Sequence, residues 1–276
     1  MTSRSQGWKN AKNEGHNNEE KVAQLINNDQ NFKSKLESKI GKGKIEKAIV
    51  EGLTQKKTES VLSTPEKNDK TTPKTDLTIT HSNGEKTNIS IKKSNGGQVF
   101  LIGTERFILG FEAQFKEIET HVKDAIKLFF GDHPDATKIL ENENSGSIPK
   151  NIRNREKRRK NLSSSTLLIH DKNLHQSLID WIKQNIYEIT LYCFSSGLSL
   201  KEHAEFIHYI DTINNKTEEH FINIVELAEL CLKNNQNIRY GDKNGGTTII
   251  LPFGHVQYHQ GKMQFHHHIN CISQLK

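Results

Sequence analysis

Asp76, Ser90 and Lys92 lie in the stretch TPKTDLTITHSNGEKTNISIKK, residues 72–93. Leu77 and Ile79 alternate with Asp76, Thr78 and Thr80. Ile89 and Ile91 alternate with Asn88, Ser90 and Lys92. Each run therefore has the period of two of a half-buried strand. A two-residue Asn83-Gly84 turn would set Leu77 against Ser90 and mix the faces. A three-residue Ser82-Asn83-Gly84 loop, with Gly84 in the left-handed bulge position, sets Leu77 against Ile89. Asp76 then faces Ser90, and Lys92 stands one step further along the same face, roughly 7 Å away. A carboxylate beside a lysine on neighbouring strands suits phosphodiester hydrolysis. The carboxylate offers Mg²⁺ hard oxygen ligands, and the metal lowers the pKa of a bound water. The lysine positions or deprotonates that water, or offsets the charge that develops on the phosphate.

The elements that must hold these residues are legible in part. The chain has 276 residues, enough for one large domain, with 33% hydrophobic residues and a mean hydropathy of −0.73, so its core is lean. The formal charge of +6 favours a polyanionic partner. Cys193, Cys231 and Cys271 have neither disulfide nor metal spacing and read as reduced thiols. The absence of a membrane-length apolar run and of an apolar signal core leads to the expectation of a cytoplasmic protein with no membrane association. Residues 1–14 are expected to be a loose basic arm, and 15–276 a single domain. That domain comprises a core over 15–130, a helical part with a basic loop over 131–245, and C-terminal strands over 246–276. Helices are expected around Val22, Leu25 and Ile26, over 32–40, over 45–53, and once or twice within 104–130 with Thr104 as N-cap. Long amphipathic helices are expected over 173–194 and 218–232. Residues 54–74 are expected to be a loop or mobile flap, and Gln98–Ile102 a third strand. The sum is a mixed α/β chain.

The residues PKTD followed on the next strand by SIK resemble the PD-(D/E)XK nuclease motif, and type II restriction endonucleases are the members most resembled. The resemblance covers roughly residues 15–115. It implies a restriction-endonuclease-like core, a mixed central sheet flanked by helices. Asp76 matches the motif's Asp and metal ligand, and Lys92 its Lys. Glu19, in GHNNEEKV, resembles the helix glutamate that joins such sites as a second ligand. Glu105 is a further candidate carboxylate. Ser90 stands where the family usually has Glu or Asp; some restriction enzymes carry a neutral polar residue there, and one Mg²⁺ rather than two is expected. The implied reaction is Mg²⁺-dependent, sequence-specific cleavage of both strands of duplex DNA, leaving 5′-phosphate and 3′-hydroxyl ends. A cognate DNA methyltransferase would be the genetic partner. A palindromic target would favour a homodimer, although small enzymes of this class also act as monomers. Two other readings remain open: a structure-specific repair or mobile-element nuclease of the same superfamily, and a non-catalytic DNA-binding protein on a nuclease-like fold.

Further residues fit DNA contact. Lys93, Ser94 and Gln98 follow the catalytic strand in KKSNGGQVF. The run Lys150–Lys160 holds seven basic residues and one acid, and Arg155, Arg158 and Arg159 are its candidate phosphate contacts. In HVQYHQGKMQF, residues Gln257, His259, Lys262 and Gln264 include side-chain types that read base edges from a β-ribbon. His266, His267 and His268 are adjacent on a strand and so point to opposite faces, a poor shared metal site. An HNH-nuclease reading of HHHIN fails because only eight residues follow His268.

Overall fold

The computed structural model describes residues 4–51, 57–142, 148–214, 218–241 and 246–275; of residues 4–13 and 142 the backbone alone is described. The chain begins with α1 (Arg4–Asn28), α2 (Gln30–Ile40), β1 (Ile45–Val50), β2 (Thr58–Glu59), β3 (Lys70–Thr71), β4 (Leu77–His81), β5 (Lys86–Lys92) and β6 (Gly96–Gly103). Helices follow: α3 (Thr104–Gln114), α4 (Thr120–Phe130), α5 (Ala136–Asn142), α6 (Lys150–Arg159), α7 (Ser164–His170), α8 (Lys172–Gln184) and α9 (Ile186–Leu191). After a π-helical turn come β7 (Phe206–Tyr209), β8 (His220–Asn223), α10 (Ile224–Lys233), β9 (Arg239–Tyr240), β10 (Thr248–Leu251), β11 (Gly254–Tyr258), β12 (Lys262–His268) and α11 (Ile269–Ser273).

Two compact units result, Met1–Asn95 with Phe194–Leu227, and Gly96–Cys193 with Ala228–Lys276. The boundary at Asn95 and Gly96 divides the segment 15–130 that the sequence groups as one core. In the first unit the sheet order is β1-β4-β5-β7-β8, with β5 and β7 parallel and the other pairs antiparallel. Val22, Ala23 and Ile26 of α1 join Leu77, Ile79, Ile89, Ile91 and Phe206 in one buried cluster. Each large aliphatic side chain buried there contributes roughly 1.5–3 kcal/mol. In the second unit the order is β6-β12-β11-β10-β9. There Phe107, Phe111, Trp181, Tyr192 and Phe265 pack ring against ring.

The expected mixed α/β architecture is what the chain forms, but several elements differ. Residues 4–14 belong to α1 rather than to an arm; residues 1–3 lie outside those described. Residues 45–50 form β1, not a helix. A bulge between Ile45 and Lys47 puts Ile45 and Ala48 on one buried face at a spacing of three, which imitates a helix. The expected flap is anchored where it is described: Ser60 is buried, Val61 N–H donates to Leu198 O at 2.9 Å, and Thr58 Oγ1 meets Ser199 Oγ at 2.8 Å. Thr104 is the first helical residue rather than the cap, which is Gly103. The helix expected over 173–194 forms with one interruption, at Asn185 between α8 and α9, where Asn185 Nδ2 donates to Trp181 O at 2.7 Å beside the backbone bond to the same oxygen. That expected over 218–232 starts only at Ile224, where Asn223 Oδ1 accepts from the N–H groups of Val225 and Glu226. The strand expected at Gln98–Ile102 does form, as β6, and pairs antiparallel with β12 in the second sheet. Among the described residues, no helix is long and apolar enough to cross a membrane.

Candidate active site

The β4–β5 hairpin has the register its sequence demands. Leu77 pairs with Ile89 and Thr78 with Asn88. His81 N–H donates to Glu85 O, Gly84 N–H donates to His81 O, and Gly84 takes a φ of 84°, which a side chain would strain. Asp76 sits just ahead of β4. Its N–H donates to Ile89 O at 3.0 Å and its carbonyl accepts from Glu51 N–H at 2.9 Å, so its backbone is fixed from both sides.

The side chains form a chain of contacts. Lys92 Nζ donates to Ser90 Oγ at 2.7 Å, and Ser90 Oγ donates to Asp76 Oδ2 at 3.0 Å. The same Oδ2 accepts from Ile91 N–H at 2.8 Å and lies 3.6 Å from Lys92 Nζ. Ser90 is buried, while Asp76 and Lys92 are each 23% exposed, so the two charged groups are reachable from solvent. Lys92 Nζ also donates to Ile91 O at 3.3 Å.

Helix α1 brings a fourth group. Glu19 is largely buried, and its carboxyl is pushed up to about 7, first by that burial and next by the negative charge of Asp76. His16, one turn earlier, holds Glu19 Oε2 at 3.3 Å and Lys92 adds its positive charge; both oppose the rise without cancelling it. Glu19 thus feels the charges of both Asp76 and Lys92. Glu105, the other candidate acid, lies in the second unit and pairs with Lys127 at 2.7 Å.

Sequence reasoning passed over three contributors. His16 and Asn18 precede Glu19 on the same helix, and strand β7 runs parallel to β5, with Ile210 N–H donating to Lys92 O at 3.0 Å. The spacing of His16 and Glu19, three apart, was a readable signal. Strand β7 gave none, because a strand buried along its whole length shows no alternation.

The other named residues are spread over both units. Lys93 pairs with Glu14, and Ser94 is exposed in the turn after β5. On α6 Arg158 is exposed, while Arg155 and Arg159 are half-buried and Arg159 lies 5.5 Å over the ring of Tyr258. His259 and Lys262 flank the turn between β11 and β12, where Gln260 and Gly261 both have positive φ, as a type I′ hairpin requires. Gln257, Gln264 and Gln98 share one face of the second sheet. Gln257 Nε2 donates to Gln264 Oε1 at 3.0 Å, and Gln264 Nε2 donates to Gln98 Oε1 at 2.8 Å. Beside them the ring of His255 stacks on His266 at 4.6 Å and on His268 at 5.7 Å, whereas His267 is buried on the opposite face. Burial, and next the neighbouring His266 and His268, push His255 down to about 4. Among the described residues no three His, Cys, Asp or Glu side chains are grouped to hold a metal ion.

No family model matches the chain, and no curated protein matches it. A solved structure does. The crystal structure of restriction endonuclease MspI in complex with its cognate DNA superposes with a TM-score of 0.50 over 96% of this chain and 93% of that one. The fold is that of a restriction endonuclease. Sequence identity over the match is 13%, so the likeness is one of architecture.

Proposed function

We propose that the chain is a type II restriction endonuclease, hydrolysing both strands of duplex DNA at a specific short sequence, with Mg²⁺ as cofactor and 5′-phosphate and 3′-hydroxyl ends as products. The observation that carries this is the joining of Asp76, Ser90, Lys92 and Glu19 within a restriction-endonuclease fold. Asp76 and Glu19 suit a hard divalent cation. Both offer carboxylate oxygens, and a bound cation would favour the charged form of Glu19, which burial first and the charge of Asp76 next disfavour. With two carboxylates and neutral Ser90, the donor set suits one ion rather than two.

When bound, the cation supplies a more acidic water and a positive charge against the phosphate. The protein's own groups do the rest. Asp76 Oδ2 is held by the Ile91 N–H and the Ser90 hydroxyl, so that carboxylate keeps one orientation. Ser90 commits its proton to Asp76 and its lone pair to Lys92, which keeps the lysine over the carboxylate. Lys92 is left to orient the attacking water and to offset charge developing on the phosphate.

Duplex DNA as partner is supported by the DNA in the MspI complex, the net positive charge and the basic helix α6. In this reading Arg155, Arg158, Arg159 and Lys93 meet phosphates, and Gln98, Gln257, His259, Lys262 and Gln264 meet base edges. A matching methyltransferase would protect the host.

The test is incubation of unmethylated phage DNA with the protein in Mg²⁺ or in EDTA, beside Lys92→Ala. Discrete bands that need Mg²⁺ and vanish in the variant are expected. A smear, or cutting only at branched substrates, would point to the structure-specific nuclease. Intact DNA with salt-sensitive binding would sink the catalytic reading and favour a DNA-binding protein on a nuclease fold, a reading to which the neutral Ser90 lends weight.

A further inference from the structure

Asn18 immediately precedes Glu19 on α1 and is fully buried. Its amide is engaged from far along the chain. Nδ2 donates to Ile210 O at 2.9 Å, and Oδ1 accepts from Thr212 N–H and Thr212 Oγ1, both at 2.8 Å. Ile210 in turn donates its own N–H to Lys92 O at 3.0 Å. One backbone residue is therefore held by Asn18 on one side and by Lys92 on the other. At the C-terminal end of the helix Asn27 makes a comparable pair of bonds to a different strand: Nδ2 to Ala48 O at 3.0 Å, and Ala48 N–H to Oδ1 at 2.8 Å.

We propose that Asn18 is the positioning residue of the site: it locks the helix bearing Glu19 to the strand bearing Lys92, so that the Glu19 carboxylate stays beside Asp76. The proposal rests on the reading of Asp76 and Glu19 as the seat of a divalent cation. Two like charges in a partly buried site repel, and a helix held by apolar contacts alone can slide or roll to separate them, because those contacts have no direction. Hydrogen bonds have direction and range, and three of them at one residue remove that freedom. Asn18 does this one position from the carboxylate it must hold. Asn27 anchors the same helix nine positions beyond Asn18, to β1, and so serves as an internal control.

The experiment is calorimetric titration of Mg²⁺, and separately Mn²⁺, into the full chain without DNA, for the wild type, Asn18→Leu, Asn27→Leu and Thr212→Val. Asn18→Leu is expected to weaken cation binding at least tenfold, in line with the usual cost of losing a group that orients a ligand. Thr212→Val, which deletes one of the three bonds at little change of volume, is expected to move in the same direction by less, and it carries the test if Asn18→Leu fails to fold. Asn27→Leu is expected to lower the melting temperature and to change cation affinity less than twofold. Equal losses in Asn18→Leu and Asn27→Leu, or unchanged affinity in Asn18→Leu and Thr212→Val, would overturn the proposal and leave Asn18 a core amide. If the wild type itself takes up neither cation, the reading of the site has failed by itself, and amide hydrogen exchange then decides on the lock. Faster exchange confined to residues 16–22 in Thr212→Val or Asn18→Leu supports it, and a uniform or absent change overturns it.

Discussion

The hydroxyl of Ser90 joins Asp76 to Lys92 without adding a charge of its own. An acid in its place would add a second strand carboxylate beside Asp76; the serine keeps the geometry and gives up that charge. Ser90→Ala is therefore expected to slow single-turnover cleavage by about five- to tenfold, the rate equivalent of one hydrogen bond. Lys92→Ala, which removes the positive charge beside Asp76, is expected to cost roughly 100-fold or more. Similar losses in the two variants would refute the division of roles. Glu19 gives a prediction that needs no DNA. Its carboxyl titrates near 7 in the folded chain against an ordinary value of 4.5, so the folded state binds the proton more tightly than the unfolded state. Its contribution to stability is full below about pH 4.5 and is lost as the pH rises through 7, by on the order of 3 kcal/mol. In EDTA, the urea midpoint of Glu19→Gln should exceed that of the wild type at pH 8 and match it at pH 4.5; a constant difference across that range would contradict the assignment.

At the scale of elements, the basic helix α6 is fixed by the one acid in it. Glu156 is buried, and its Oε1 accepts from Ser163 N–H and from Thr166 Oγ1, both at 2.9 Å, so it ties α6 to the first turn of α7. Glu156→Ala leaves both donors without this acceptor and is expected to destabilise the fold by about 2–3 kcal/mol. Thermal melting at fixed pH measures this, and a shift smaller than that of an exposed control such as Glu141→Ala would refute it. The helix was legible in sequence only as a charge run, because a buried acid among seven bases looks like part of a solvated face. The hairpin was fully legible, since turn chemistry and apolar alternation specify the same register. Strand β1 was not, because its bulge imitates a helical spacing. Strand β7 was not, because its partner β5 lies more than 100 residues earlier and its own burial leaves no period. Asp76, Ser90 and Lys92 could be placed together from their own strands. Locating Glu19 required knowing where α1 packs, which its buried face of Val22, Ala23 and Ile26 and the tertiary bonds at Asn18 and Asn27 decide together.

Over the whole molecule, charge is distributed unevenly. The chain holds 33 acidic residues, yet β6, β9, β10, β11 and β12 contain none, so the second sheet presents no carboxylate to repel a polyanion. Its open face carries neutral groups whose directions are already set: Gln264 bonds Gln98 on one side and Gln257 on the other, and His255 is kept uncharged at neutral pH. Groups held in this way lose little freedom on binding and suit the reading of base edges, whereas Arg158, exposed on α6, suits a phosphate. The two kinds of contact differ in their dependence on salt. Arg158→Gln is expected to weaken binding to every duplex alike and to reduce the slope of log affinity against log salt by about 0.9, the release of one condensed counterion. Gln264→Ala removes no charge, so its salt slope should equal that of the wild type; it should instead narrow the gap between target and non-target duplexes, by about 1–3 kcal/mol if it meets one base pair. Fluorescence anisotropy in EDTA, on target and scrambled duplexes at several salt concentrations, separates the two. A Gln264→Ala protein that keeps full discrimination would remove the second sheet from sequence readout, and an unchanged slope in Arg158→Gln would remove that arginine from the phosphate contacts.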